Sequence, residues 1–233
     1  MTIFRFALLK GLRSPLTLVV NCILPLIVIF VPPFWEMGGF LGDRYAGFGI
    51  LAMVIWSGAF LMAQGILNDR ESGTITRILA GPISMFNYLL QNLLAFMVPL
   101  VVQLGLISVI GVVLHGWDAT LALGLFVCYT VFTVASVAMS FAWNCLFKRK
   151  ETSFTTFSAV LTFGIFLSGA LVPLSLFPDI VQHVGMIFPA YWAVRGIEVL
   201  LETGMTGGYW LSVLAMALFS IAFLLYGGKR RMI

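Results

Sequence analysis

Charge is what this chain has least of. Asp, Glu, Lys and Arg make up 9% of its 233 residues, against about 25% in a typical soluble domain. So few charges cannot cover a water-facing surface, which excludes a soluble globular protein. A disordered chain would be polar and poor in apolar residues, and is excluded too. Histidine occurs only at positions 115 and 183, both expected in outer loops. No Asp, Glu, Lys, Arg or His falls deep inside the apolar stretches. That argues against a proton relay, a voltage sensor or a metalloprotease ligand set. Serines are plentiful but have no His or Lys base at the same depth, which argues against a serine-type intramembrane enzyme. Cysteine is limited to Cys22, Cys128 and Cys145. Each lies in an apolar run with no close partner in spacing, so neither a disulfide framework nor a thiolate metal site is expected.

A phosphate loop is also missing. It requires Gly, four residues, Gly-Lys, then Ser or Thr. The nearest approach is Gly228-Lys229-Arg230, with Phe223 where the first Gly belongs and Arg230 where the hydroxyl belongs. The chain is expected not to hydrolyse ATP by that route, and no cofactor of its own is expected.

What the chain has in abundance is apolar surface. Apolar residues reach 61%, with 21 Phe, 23 Gly and a mean hydropathy of +1.07. A membrane helix needs about 20 mostly apolar residues. Six stretches qualify, at roughly 16–35, 46–67, 86–113, 120–147, 153–172 and 209–227. The segment 173–208 is apolar but broken by Pro173, Pro178 and Pro189, and fits two short helices dipping into the outer face. Pro25 and Pro99 fall within spans and should bend them. The tryptophans, Trp56 among them, are read mostly as interfacial anchors. Asn21, Gln64, Gln103, Ser136, Ser140 and Ser158 are the uncharged polar groups inside the spans, with helix packing as their default role.

The positive-inside rule sets orientation. With the N-terminus inside, 11 of the 13 basic residues and three of the nine acids face the cytoplasm, a net +8. The outside then holds a net −4. The fold expected is all-α and integral to the membrane, a single transmembrane domain over 1–233, N-in and C-in. Residues 1–14 place Ile3, Phe4, Ala7, Leu8 and Leu12 on one side of a helix, away from Arg5, Lys10 and Arg13. They form either an interfacial helix or a plain basic anchor.

The loop after the second span runs Asn68-Asp69-Arg70-Glu71-Ser72-Gly73-Thr74-Ile75-Thr76-Arg77-Ile78-Leu79-Ala80-Gly81-Pro82. Ile75, Ile78 and Leu79 recur at helical spacing, charges open the segment and Gly81-Pro82 stops it. A short helix over 68–82 with an apolar stripe suits docking into another protein's groove. Lys148-Arg149-Lys150 is either a second inner contact or a topology-setting loop beside acidic lipid.

Asp69-Arg70-Glu71-x-Gly73-Thr74, then Leu79 and Pro82-x-Ser84, resembles the coupling-helix pattern of ABC-2-type transporter permeases. Asp69 stands where that family usually has Glu, which keeps the charge. Gly169-x3-Pro173-x4-Pro178, followed by Phe188-Pro189-x-Tyr191-Trp192 and Arg195-Gly196, resembles the family's re-entrant stretch before the last span. The resemblance covers the layout of the whole chain. It implies the membrane half of an exporter in a bacterial inner membrane. Such a permease pairs with a second copy or a relative and with two cytoplasmic ATPase subunits that bind ATP and Mg. Asp69, Arg70, Glu71, Gly73, Thr74, Ile75, Arg77, Ile78 and Leu79 are then the coupling interface. Glu71 and Arg70 would supply charge-assisted contacts, Ile75, Ile78 and Leu79 would fill the ATPase groove, and Gly73 would allow close approach. Pro173, Pro178, Pro189 and Tyr191 are candidates for an outer gate. Membrane lipids are expected partners, and nucleic acid is not. The absence of charged spans suits a lipophilic or amphipathic cargo, such as a drug, an antibiotic, a peptide or a lipid-linked glycan. The competing readings are a carrier or channel without an ATPase, a membrane enzyme and a scaffold.

Overall fold

In lipid, backbone N–H and C=O groups find no water, so long apolar runs fold as helices that satisfy their own hydrogen bonds. The computed structural model describes residues 2–13, 19–30, 46–172 and 174–229, and among these it is helical with no strand. The order is α1 (Thr2–Arg13), a π-helical turn (Val19–Ile23) running into α2 (Leu24–Phe30), α3 (Ala46–Glu71), α4 (Thr74–Leu79) and α5 (Met85–His115). Then follow α6 (Ala119–Asn144), α7 (Lys150–Leu167), a 3-10 turn (Leu174–Leu176), α8 (Asp179–Gly185), α9 (Pro189–Thr203) and α10 (Gly207–Lys229).

Four of these helices, α3, α5, α6 and α10, are long and apolar enough to cross a membrane. The pair α8–α9 passes the same test jointly but is bent by 104°, so the described residues supply four spans, or five if the bent pair counts as one. The chain is a multi-pass helical membrane protein. The first expected span, 16–35, is described only over 19–30, where it is a short apolar helix. The fifth, 153–172, forms the 18-residue α7, whose opening turn of Lys150, Glu151, Thr152 and Ser153 dilutes its apolar character. Pro99 sits inside the continuous α5, and Pro25 is the second residue of α2, directly after the π turn.

Helix α6 is the hub, packed against α3, α5, α9 and α10. Its C-terminal half alternates small and large buried residues: Ala135, Ser136, Val137, Ala138, Ser140, Phe141 and Ala142. Small residues let helices approach closely where lipid gives no hydrophobic drive to association. Two clusters fill the interior. One surrounds Trp56, which is fully buried and meets Phe132 and Phe157 edge-on at 6.4 and 6.2 Å. Trp56 is thus a core residue rather than an interfacial anchor, because mid-helix on α3 it faces α6 and α7. The other cluster joins Met62, Ile66, Ile75, Leu89, Phe96 and Phe141.

The histidines correct another expectation. His115 is the last residue of α5 and its Nε2 lies 2.9 Å from the Ile29 carbonyl; His183 lies within α8. Neither is a loop residue. Cys128 and Cys145 are buried free thiols, and the side chain of Cys22 lies outside the described residues.

The helix ends sort the charges. Gly227 of α10 packs on Leu89 of α5 and Cys145 after α6, so the last turn of α3, the first of α5 and α7 and the last of α6 and α10 share one end. Lys10, Arg70, Arg77, Lys148, Arg149, Lys150 and Lys229 collect there. Asp118, Asp179, Glu198 and Glu202 collect at the other end, with α8, α9 and the start of α10.

Candidate functional site

The segment from Asp69 to Leu79 divides differently from the single helix expected over 68–82. Asp69, Arg70 and Glu71 form the last turn of α3, which propagates until Gly73 ends it. Gly73 has φ 69°, a conformation open to glycine at no steric cost, and nothing lies within 4 Å of where its Cβ would be. The left-handed backbone at Gly73 turns the chain from α3 into α4. Thr74–Leu79 then makes one short helix, and the Ser72 and Thr74 hydroxyls meet at 2.8 Å.

The orientation of α4 corrects the expected docking stripe. Ile75 is 1% exposed and packs in the chain's own core, with Ile78 and Leu79 half-buried against the same cluster. The face α4 presents outward carries Thr76, Arg77 and Ala80 instead. An amphipathic stripe read from sequence gives the buried face of a helix, not whose interior buries it.

Each charge at the end of α3 is committed within the chain. Asp69 ion-pairs with Lys10 of α1 and accepts from the Tyr88 hydroxyl of α5 at 2.9 Å. Lys10 Nζ also donates to the Gly65 carbonyl at 3.2 Å. Arg70 Nη1 donates to the Phe147 carbonyl at 3.0 Å, and the backbone N–H of Lys150 donates to Glu71 Oε1 at 3.3 Å. These bonds draw the two expected inner contacts, 69–79 and 148–150, into one surface. They also tie α1 to it: Ile3, Phe4, Ala7 and Leu8 pack on the core around Ile75, leaving Phe6 and Leu9 outward.

A cavity of about 570 Å³ opens where α1, α3, α4, α5 and α7 meet. Lys10, Asp69, Thr74, Ile78, Tyr88 and Lys150 are among its lining residues, with Leu61, Met62 and Phe96 further along the helices.

Beneath this surface lies a buried polar knot, of which sequence reading named Gln64 as a helix-packing residue but missed Asn144 and Ser153. Asn144 Oδ1 accepts from Gln64 Nε2 at 3.3 Å and from Ser153 Oγ at 2.7 Å, while Asn144 Nδ2 donates to the Ala63 carbonyl at 3.0 Å. It joins α3, α6 and α7. The available signal was three amide or hydroxyl residues at span ends on the same side. Tyr88 was missed as well, being one aromatic among many in an apolar run.

At the opposite end, Pro178 precedes α8 and Pro189 opens α9, where a missing N–H costs nothing. Tyr191 is buried in the first turn of α9, beside Gly185 of α8, and Trp192 Nε1 donates to the Met186 carbonyl at 3.0 Å. Pro173 lies outside the described residues. The structure thus places Pro189 and Tyr191 in the first turn of α9 against the end of α8, with Pro178 at the start of α8, remote from 69–79. Asp118 caps α6 there through the Thr120 N–H at 3.1 Å, which holds its carboxyl below the usual range. Among the described residues no group of three or more His, Cys, Asp or Glu could hold a metal ion.

Residues 38–228 match the sequence profile of a family described as "ABC-2 family transporter protein". The chain is also similar to the linearmycin resistance permease protein LnrN of Bacillus subtilis (strain 168), 26% identical over 165 residues. That match covers 70% of this chain and 42% of LnrN, so the aligned part is less than half the length of that relative.

Proposed function

Since the chain belongs to the ABC-2 transporter family, we propose that it is the membrane-spanning subunit of an ATP-driven exporter. It works with a second copy of itself or a related permease, and with two cytoplasmic ATPase subunits that bind ATP and Mg. The chain has six spans with both termini inside a bacterial inner membrane; the separation of basic and acidic residues between the two ends of the bundle supports this. ATP hydrolysis belongs to the partner, since no phosphate loop is present in the sequence.

One observation carries the coupling role. The short helix Thr74–Leu79 is bonded through its flanking turn to three other parts of the chain, and it still leaves Thr76, Arg77 and Ala80 exposed. A push on that face reaches α1 through Lys10–Asp69, α5 through Tyr88–Asp69 and the α6–α7 loop through Arg70 and Glu71. Arg77 is the charged contact to the ATPase, and Glu71 and Arg70 act by holding the turn. Lys148 and Arg149 extend the same surface. The cargo is lipophilic or amphipathic, of the drug, antibiotic, peptide or lipid-linked class. The name of the relative LnrN, a resistance permease, favours the drug and antibiotic end of that range.

A photo-crosslinking residue at position 77 tests this in intact cells. It should capture a protein bearing a phosphate-loop motif, while the same probe at Glu202 should not. Equal capture from both positions, or none from 77, overturns the coupling assignment.

A further inference from the structure

The cavity between α1 and α4 changes character along its length. Asn68, Asp69, Thr74 and Lys150 line the end nearest α4. Leu61 lies eight residues before Asp69 on α3, roughly 12 Å further in at about 1.5 Å per residue, and Met62 and Phe96 continue the apolar zone. Between the zones stands Gln64, 4% exposed. Asn144 donates to Ala63 through Nδ2, so its Oδ1 must face Gln64 Nε2. That fixes the Gln64 amide and leaves its buried Oε1 as an acceptor without a partner. A buried acceptor left unmade is costly. The Lys150 side chain, at the mouth, has no ion-pair partner among the described residues, whereas Lys10 is held by Asp69.

We propose that this cavity binds a single-tailed anionic amphiphile. The tail lies against Leu61, Met62 and Phe96, a hydroxyl or amide N–H donates to Gln64 Oε1, and a phosphate or carboxylate meets Lys150. The volume of about 570 Å³ suits one drug-sized ligand, within the roughly 300–1,000 Å³ of small-molecule sites. A resident lysophospholipid and an amphipathic cargo both have this chemistry. The occupant touches Ile3, Phe6 and Ala7 of α1 together with Thr74 and Ile78 of α4, so it braces the helix proposed to receive the ATPase stroke.

The purified chain, in nanodiscs of zwitterionic diacyl lipid, is labelled with lysophosphatidylglycerol carrying a diazirine in its tail. Saturable labelling at one site per chain, on peptides of α1, α3 or α5 lining the cavity, is expected. Gly11→Leu projects into the cavity: a Cβ there makes ordinary contact with Met62 Cε at 3.6 Å. Leu also favours a helix over Gly, and a thermal melt checks the fold. This variant should lower saturable labelling about tenfold, and Lys150→Ala should weaken apparent affinity about fivefold. Labelling that does not saturate, that scatters over the outward faces of α5 and α10, or that is unchanged in both variants overturns the site. With the ATPase present, loss of bound probe on adding ATP identifies cargo, and retention identifies a resident lipid; either outcome upholds the site. The labelling needs no ATPase, so it can fail or succeed independently of the exporter reading.

Discussion

Asn144→Ala should destabilise the bundle by about 2 kcal/mol. Its side chain, fully buried, makes three hydrogen bonds, to Gln64 Nε2, Ser153 Oγ and the Ala63 carbonyl. Side-chain bonds between membrane helices average about 0.6 kcal/mol each, with about 1.7 as the upper end, because the unfolded chain in lipid also finds partners. Three of them give about 2 kcal/mol, which is roughly a 30-fold change in the unfolding equilibrium. Reversible unfolding in mixed micelles, or steric trapping in bicelles, measures it. Ser153→Ala alone loses one of those bonds, so its cost should be about 0.6 kcal/mol. Made in the Asn144→Ala background, it should cost almost nothing, since the partner is already gone. A change below about 0.5 kcal/mol for Asn144→Ala, or full additivity of the two, would refute the idea that this knot joins α3, α6 and α7.

Three further outcomes follow from the same geometry. Gly73→Ala should cost about 1–2 kcal/mol from the left-handed backbone alone, since its Cβ would meet nothing; Gly73→Asn should cost less, and the same unfolding assay reads both. At Gly58 a Cβ would clash with the Asn21 side-chain amide, so Gly58→Ala should lower the melting temperature and Asn21→Ala in that background should restore most of the loss. The Asp118 carboxyl is held below its ordinary value, chiefly by the Thr120 N–H. Its stabilisation is therefore present above the ordinary carboxylate pKa and is lost as pH falls through the lower folded value. Melting curves of the wild type and Asp118→Asn should differ above that range and converge as pH falls through it.

Composition made the membrane class legible, and hydropathy located the four long helices to within a few residues. Charge placement was legible as well: among the described residues, basic ones that sequence reading put on one side, such as Lys10, Arg70, Arg77, Lys150 and Lys229, gather at one end of the bundle. Local signals could not give what depends on distant partners. Lys10 and Asp69 are 59 residues apart in sequence, and nothing local marks Lys10 as more than a basic flank. The periodicity of Ile75, Ile78 and Leu79 identified a buried face correctly but could not say whether a partner or the chain itself buries it. Helix α3 continues through Glu71 because nothing stops it before Gly73, whereas the run of charges at 69–71 reads as a loop. Trp56 shows the same limit: its place in a span is written in sequence, but its inward direction is set by packing against α6 and α7.

The central claim is that this chain takes its energy from a separate ATPase. The most direct test is to crosslink intact membranes, purify the tagged chain in mild detergent and identify by mass spectrometry what accompanies it. A stoichiometric protein with a phosphate-loop motif is the predicted result. A chain that elutes alone after crosslinking would contradict the claim and would favour a carrier or channel that needs no ATPase.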